Sequence, residues 1–207
     1  MGKYHVIYVP GLGDSRTYGQ NLLIQLWRLF GVTPHYFPLY WATKEPFQTK
    51  IDRLIAEISR LRANGYSVAL CGASAGASAT LRAFALYNEV DSLVWICGKI
   101  NNPQTVRPRI YEINSAFKES MDLVPTSLAS LDSARKHRIL SIHSLNDTTV
   151  PINDTKVPGT VEKTIPSRGH SLSIFFAIVF SGRAICRFIR LWQHFGWEVK
   201  ARSVTIF

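Results

Sequence analysis

A serine lies within a short run of small residues, Gly72-Ala73-Ser74-Ala75-Gly76. The preceding residues, 67–71, are apolar and strand-like, and an alanine-rich segment typical of a helix begins near Ala75. A G-x-S-x-G sequence at a strand-to-helix turn holds its serine in a strained backbone conformation with the hydroxyl exposed. The pattern therefore predicts that Ser74 is a nucleophile. The alternative interpretation is a small residue that only fits a tight turn.

A nucleophilic serine needs a histidine as base and a carboxylate that orients this histidine. Two later loops supply both groups in the order Ser, Asp, His: Asp147 follows a predicted strand over 139–143, and His170 follows one over 160–165. The carboxyl ends of parallel strands lie at one edge of a sheet, where such loops can meet. The spacing predicts a catalytic group of Ser74, Asp147 and His170.

Each partner has an alternative in the sequence. Asp154 is the nearest alternative acid, although it lies further beyond its strand end, and His143 is the alternative base, although it falls inside a predicted strand. The remaining histidines have no accompanying motif and are predicted to be structural or exposed: His5, His35, His137 and His194.

The elements that must position these residues alternate between strand and helix. Period-2 or continuous apolar runs predict strands, and apolar residues at helical spacing predict helices. Strands are predicted over 4–9, 33–39, 67–71, 93–97, 139–143 and 160–165. Helices are predicted over 18–30, 51–61, 75–87, 114–120 and 126–135, and a last one starts after His170 and runs to about 195. This alternation predicts an α/β fold, with a mostly parallel sheet of about six strands and helices on both faces, in one domain over 1–207. Pro34 and Pro38 limit the second strand to a sheet edge.

Three further motifs support the assignment. Asp147-Thr148-Thr149-Val150-Pro151 matches a D-x-x-V-P pattern, Gly169-His170 precedes a helix, and Pro10-Gly11-Leu12-Gly13-Asp14 follows the first strand. Over nearly its whole length the chain resembles small, lid-poor members of the α/β-hydrolase superfamily. The first loop is similar to the H-G-L-G-D loop of carboxylesterases and acyl-protein thioesterases, with Pro10 in place of histidine.

The resemblance implies a serine hydrolase that cleaves small carboxylic esters or thioesters through an acyl-enzyme intermediate. His170 would be the general base and Asp147 its orienting acid. The backbone N–H groups of Leu12 and Ala75 would form the oxyanion hole, with Gly13 as the alternative to Leu12. An amidase or peptidase with the same catalytic groups, and a binding protein that keeps the fold without turnover, remain alternative functions.

The segment that follows the fourth predicted strand is short. Residues 98–124 leave room for a small cap of a loop and one or two helices, which argues against a large interfacial lid. Lys99, Asn101 and Asn102 follow the strand end directly and could line the site; the alternative interpretation is that this segment is only a connection.

Composition describes an ordinary globular protein with an unusual charge. Of the 207 residues, 46% are hydrophobic and 18% charged, and the formal net charge is +10. A basic chain attracts anionic partners over long distances, but no nucleic-acid-binding module is recognisable. Arg183, Arg187, Arg190 and His194 share one predicted helix face, a pattern that also occurs on membrane surfaces. The simpler interpretation is a helix whose polar side is solvated.

Cysteine usage and the chain start lead to further expectations. Cys71, Cys97 and Cys186 lie in apolar runs without a C-x-x-C pair, which predicts buried free thiols and no metal site. No dinucleotide or phosphate-binding glycine loop is present, so no cofactor is expected. No apolar signal region precedes the first predicted strand, which favours a cytoplasmic location. The sequence does not indicate an oligomeric state.

Overall fold

A single sheet of six parallel strands forms the centre of the computed structural model, which describes residues 3–16 and 18–193. The strands lie in the order β2-β1-β3-β4-β5-β6, and every neighbouring pair is parallel. Their bounds are β1 Tyr4–Val9, β2 Val32–Tyr36, β3 Ser67–Ala73, β4 Ser92–Ile96, β5 Ile139–Asn146 and β6 Val161–Arg168. The α/β fold predicted from the sequence is confirmed, including the edge position of the proline-containing strand β2.

Helices cover both faces of this sheet. They are α1 Tyr18–Ile24, α2 Phe47–Ala63, α3 Gly76–Leu86, α4 Pro108–Ile113, α5 Ser115–Asp122, α6 Val124–Ala129, α7 Ser133–His137, α8 His170–Phe180 and α9 Gly182–Gln193; short 3-10 helices occupy 14–16, 25–30, 103–105 and 152–154. One hydrophobic core lies between the sheet and α2, α3, α5 and α6. A second lies between the opposite sheet face and α1, residues 25–30, α8 and α9.

Small residues let α3 approach the sheet closely. A Cβ at Gly72 would lie 2.7 Å from the Ala77 Cα, and one at Gly98 would lie 2.5 Å from the Ala77 Cβ. Both distances are too short for a methyl group, so glycine is required where β3 and β4 meet this helix. The first turn of α3, which follows Ser74, is thereby fixed against the sheet.

The prediction of one long helix that starts after His170 and runs to about 195 is wrong. The helix stops at Phe180, and α9 begins at Gly182 with its axis bent by 64°. The Trp27 indole N–H donates to the Ile178 carbonyl at 2.9 Å, and a Cβ at Gly182 would lie 2.9 Å from the same indole nitrogen. The Trp27 indole thus binds a carbonyl in the last turn of α8, just before Ser181 and Gly182. Helices commonly kink at such Ser/Gly pairs and where a side chain binds a helix carbonyl. Within the described residues no single helix is long and apolar enough to cross a bilayer, and α8 and α9 meet that test only as a bent pair.

The last two strands extend further than predicted. β5 continues to Asn146 and β6 to Arg168, with an irregularity in their pairing between Ser144 and Asn146. The loops that carry Asp147 and His170 therefore begin at the strand ends themselves. His194 and the tail over 197–207 lie outside the described residues.

The three cysteines, Cys71, Cys97 and Cys186, are buried free thiols, as predicted. Burial raises the pKa of the Cys71 thiol well above its usual range and that of Cys186 to about 12. None of the three thiols is exposed at the surface.

Candidate active site

Ser74 occupies a strained turn between β3 and α3. Its φ angle is +52°, in the left-handed region that a serine rarely adopts. The turn is held by backbone hydrogen bonds: the Ser74 N–H donates to the Ile96 carbonyl at 3.0 Å, and the Ser74 carbonyl accepts from the Lys99 N–H at 3.2 Å. A Cβ at Gly76 would lie 2.8 Å from the Pro10 carbonyl oxygen, so only glycine fits there. The geometry has the features of a nucleophile elbow.

His170 lies between Ser74 and Asp147. Its Nε2 is 2.8 Å from the Ser74 Oγ, and its Nδ1 is 2.7 Å from the Asp147 Oδ2. The side chain of Asp147 is 1% exposed and that of His170 15%, so the histidine reaches solvent while its carboxylate partner does not. The structure therefore brings the three sequence-predicted side chains together in one hydrogen-bonded chain.

The charge of Asp147 fixes the proton on the histidine ring. Burial alone would raise the pKa of Asp147, but the hydrogen bond from His170 and the N–H groups of Val150 and Thr149 lower it below its ordinary value. An ionised carboxylate only accepts hydrogen bonds, so the proton of a neutral His170 lies on Nδ1. Nε2 is then left to accept the Ser74 proton.

The predicted oxyanion loop lies directly against the serine. A Cβ at Gly11 would be 2.8 Å from the Ser74 Cβ and 3.3 Å from its Oγ. The N–H groups of Leu12 and Ala75 have no acceptor among residues 3–16 and 18–193. Ala75 also precedes the N-terminus of α3, where backbone partial charge favours an anion.

Residues beyond the first loop support it, beginning at Pro10. The Pro10 carbonyl accepts a hydrogen bond from the Trp41 indole at 3.2 Å. The Asp14 carboxylate accepts from the Tyr40 N–H at 2.5 Å, and Tyr40 is held at a φ of +56°. The fully buried Lys50 donates to the Tyr40 carbonyl at 2.8 Å. The segment 39–41 thus anchors the loop over 10–14.

The sequence leaves two interpretations open for the residues after β4, and their contacts favour a connecting role over lining the site. The Lys99 ammonium pairs with Asp154 and donates to Thr105 at 2.6 Å. Asn102 donates to the other Asp154 oxygen at 2.6 Å, and Asn101 donates to the Lys156 carbonyl at 2.7 Å. Their side chains instead bind the segment that follows the Asp147 loop. A buried lysine after a strand end needs a carboxylate partner, and Asp154 provides it.

The alternative acid and base lie elsewhere. Asp154 is engaged by Lys99, as above. His143 is buried within β5, where its Nε2 lies 2.9 Å from the Thr164 Oγ1, and burial lowers its pKa. His5, near the amino end of β1, contacts His35 of β2 at 2.7 Å between their ring nitrogens. Residues 3–16 and 18–193 contain no cluster of three or more ligand side chains that could hold a metal.

Cys97 is a neighbour of the site that sequence reasoning missed. It follows β4 with a φ of +48°, and its thiol lies close enough to the Asp147 carboxylate to interact with its charge. Burial first, and then this carboxylate, raises the pKa of the thiol to about 12. This proximity arises because β4 and β5 are adjacent, which the sequence does not state. The only sign of it in the sequence is the cysteine that directly follows the apolar strand β4.

Solved structures with the same architecture are numerous. The esterase domain of a Rhodothermus marinus protein has a TM-score of 0.68 at 19% identity, covering 93% of this chain and 88% of its own. Est1E from Butyrivibrio proteoclasticus has a TM-score of 0.67 at 12% identity, covering 93% and 89%. The chain has the α/β-hydrolase fold.

A third similar structure with this hydrolase fold is the Paleococcus ferrophilus monoacylglycerol lipase, with a TM-score of 0.58, 13% identity and coverage of 89% and 93%. No protein-family profile and no curated protein matches the sequence significantly. At these low identities, the structural similarity shows a shared fold and nothing further. In the α/β-hydrolase fold, the loops at the carboxyl ends of the strands are the usual location of the active site, and Ser74, Asp147 and His170 lie on such loops.

Proposed function

We propose that this protein is a serine hydrolase that cleaves small carboxylic esters or thioesters through an acyl-enzyme intermediate. The supporting observation is the continuous hydrogen-bonded chain from the Ser74 hydroxyl through His170 to the buried Asp147 carboxylate. Esterases and a lipase among the proteins of similar structure favour ester substrates.

In the proposed first step, the Ser74 Oγ attacks the acyl carbonyl carbon while His170 Nε2 takes the hydroxyl proton. The carbonyl electron pair moves onto its oxygen, where the N–H groups of Leu12 and Ala75 stabilise the negative charge. One such donor contributes about 3–4 kcal/mol in the transition state. Asp147 stabilises the imidazolium without taking its proton.

The intermediate collapses when the C–O or C–S bond to the leaving group breaks and His170 returns the proton to the departing alcohol or thiol. Water then repeats the sequence: His170 removes its proton, the oxygen attacks the acyl carbon, and the Ser74 Oγ leaves with the proton. The partly exposed His170 and Ser74 give water a route to the acyl group.

Fluorophosphonate labelling of the wild type and of Ser74→Ala, beside p-nitrophenyl ester hydrolysis, tests the proposal. We expect stoichiometric labelling of the wild type, and a loss of labelling and of about 10⁶-fold in kcat for Ser74→Ala. Ser171→Ala removes an exposed serine adjacent to His170 and should behave as the wild type. A folded wild-type protein that neither labels nor turns over would contradict the proposal and favour a binding role.

Acyl p-nitroanilides and alkyl thioesters of the same acyl group separate the alternatives. The proposal expects ester or thioester turnover well above amide turnover. Anilide hydrolysis as fast as ester hydrolysis would instead indicate the amidase or peptidase function.

A further inference from the structure

One helical layer has a continuous outer surface that the proposed chemistry does not use. It consists of α1, residues 25–30, α8 and α9, all packed on the same face of the sheet. Trp27 holds the layer together: its indole donates to the Ile178 carbonyl, and its own carbonyl accepts from the Cys186 thiol at 3.9 Å. The outward sides of these helices therefore belong to one surface.

Large apolar side chains are concentrated on this surface. Leu22 is 74% exposed, Leu29 79% and Phe180 65%. Six of the ten exposed large hydrophobic residues of the described chain belong to the layer: Leu22, Leu26, Leu29, Leu172, Phe175 and Phe180. A soluble monomer rarely groups so many exposed apolar side chains unless they meet a partner.

The same surface is positively charged. Arg28, Arg183, Arg187 and Arg190 are exposed, and an atom added to Gly31 would lie 3.8 Å from the Arg190 guanidinium, so α9 and the 25–30 segment adjoin. Residues 18–31 and 170–193 contain no aspartate or glutamate. On the opposite layer, by contrast, carboxylates accompany some of the basic residues, as Glu57 pairs with Arg60. We define the basic apolar face as the six hydrophobic residues above together with these four arginines.

The structure revises what α9 contributes to this face. The sequence suggested a helix with apolar and basic sides of its own, but Ile185, Phe188 and Ile189 are fully buried against the sheet. α9 therefore presents arginines, and the exposed apolar groups come from α1, residues 25–30 and α8. The amphipathic surface is assembled from two stretches that are distant in sequence, residues 18–30 and 170–193.

We propose that the basic apolar face docks on an anionic phospholipid membrane surface. Arginines match the phosphate groups of anionic headgroups, and leucine and phenylalanine side chains gain free energy by entering the boundary between headgroups and acyl chains. A second copy of this chain fits poorly, since the arginines of two such faces would meet without a carboxylate between them. Leu172 lies in the first turn of α8, which begins at His170, so the docked surface would adjoin the candidate active site.

Vesicle flotation tests the proposal with phosphatidylcholine alone and with an equal mixture of phosphatidylcholine and phosphatidylglycerol. We expect binding to the mixed vesicles that weakens at high salt, and little binding to the neutral ones. The variant Arg183→Gln/Arg187→Gln/Arg190→Gln should lower the partition coefficient about 100-fold, roughly fivefold for each arginine. Leu22→Gln/Leu29→Gln should lower it about tenfold.

Two control variants carry the same kinds of substitution outside this helical layer. Lys44→Gln/Arg107→Gln/Arg109→Gln removes three exposed positive charges outside the layer, and Leu86→Gln/Ile113→Gln exchanges two exposed hydrophobic residues. Both should bind within about threefold of the wild type. Ser74→Ala should also bind as the wild type does, which separates docking from the proposed hydrolysis.

Three outcomes would overturn the proposal. They are no binding to the anionic vesicles by a folded wild type, an equal loss in the charge-matched control, and unchanged binding by Leu22→Gln/Leu29→Gln. Sedimentation of the wild type in the absence of lipid adds a fourth. A concentration-dependent dimer that is abolished in Leu22→Gln/Leu29→Gln would assign the face to a second copy.

Discussion

At the scale of single residues, the proton on His170 depends on its partner Asp147. The buried carboxylate accepts the Nδ1 proton as well as two backbone N–H groups, and these contacts keep it ionised. An amide at this position would keep the shape but could donate its own N–H to the ring. The histidine would then carry its proton on Nε2, facing the Ser74 hydroxyl that it should deprotonate.

Asp147→Asn is therefore expected to lower kcat for ester hydrolysis by about 10⁴-fold with little change in KM. The circular dichroism spectrum should match that of the wild type. Asp154→Asn makes the same chemical change at the alternative acid, and its activity is compared per folded molecule because the change also removes the counter-ion of the buried Lys99. A larger activity loss in Asp154→Asn than in Asp147→Asn would contradict the assignment of the acid.

Gly11 is a second residue whose role follows from contact distances. A Cβ there would lie 2.8 Å from the Ser74 Cβ and 3.3 Å from its Oγ. Gly11→Ala should displace the loop proposed to form the oxyanion hole, or the serine, and lower kcat/KM for ester hydrolysis at least about tenfold, since small misplacements at a reacting centre are costly. Gly19→Ala has open space around its Cβ in α1 and should keep full activity while adding up to about 1 kcal/mol of stability. Equal activities in the two variants would count against the loop's role.

At the scale of elements, the segments after β4 and β5 are joined by a buried ion pair. Lys99 and Asp154 are almost wholly buried, and the backbone N–H groups of Ile100 and Asn101 both donate to the Asp154 carbonyl at 2.9 Å. Because the Lys99 N–H also donates to the Ser74 carbonyl, this pair connects the serine turn with the segment following the Asp147 loop.

Lys99→Met should destabilise the protein by about 3–5 kcal/mol in urea unfolding, because it leaves a buried carboxylate without its counter-ion. The double variant Lys99→Met/Asp154→Asn should recover part of the loss. Lys118→Met removes one member of an exposed pair with Asp122 and should change the free energy of unfolding by less than about 1 kcal/mol. Similar losses in both lysine variants would contradict the argument.

The edge strand β2 makes stability sensitive to acid. His35 contacts His5 at 2.7 Å, and its pKa is lowered from 6.5 first by burial and then by the His5 charge. In the unfolded chain His35 binds a proton near pH 6.5, whereas in the folded chain it binds one only at lower pH. Lowering the pH therefore favours the unfolded chain. His35→Gln should show a smaller fall in the free energy of unfolding between pH 7 and pH 5 than the wild type. His137→Gln, at an exposed site, should retain the full fall; an unchanged pH dependence in His35→Gln would refute this account.

Short-range signals in the sequence predicted most of the elements. Alternating strands and helices, the G-x-S-x-G run and the order of the later loops were sufficient to predict the sheet and to select Ser74, Asp147 and His170. The break at Ser181 was not predictable, because it depends on Trp27, which lies far away in the chain. The proximity of Cys97 to Asp147 and the contact of Lys99 with Asp154 likewise require knowing which strand ends are neighbours.

At the scale of the whole molecule, the charge is unevenly distributed between the two helical layers. The composition gives a net charge of +10 but does not tell where the carboxylates lie. The layer of α1, α8 and α9 has none, whereas α2 carries Asp52 and Glu57. The separation arises because residues 18–30 and 170–193, which lack carboxylates, pack on the same face of the sheet.

Because all three thiols are buried, their reaction with a reagent in solution reports when the folded protein opens. A chromogenic disulfide reagent at mildly alkaline pH should leave Cys71, Cys97 and Cys186 unmodified in the folded protein and react with all three in urea. The rate of the slow reaction without urea would then measure how often the folded protein opens transiently and exposes a buried thiol. A cysteine introduced at an exposed position such as Leu29 would react at once, so a fluorophore could be attached there without first removing the native thiols. Rapid modification of any native cysteine in the folded protein would contradict this expectation.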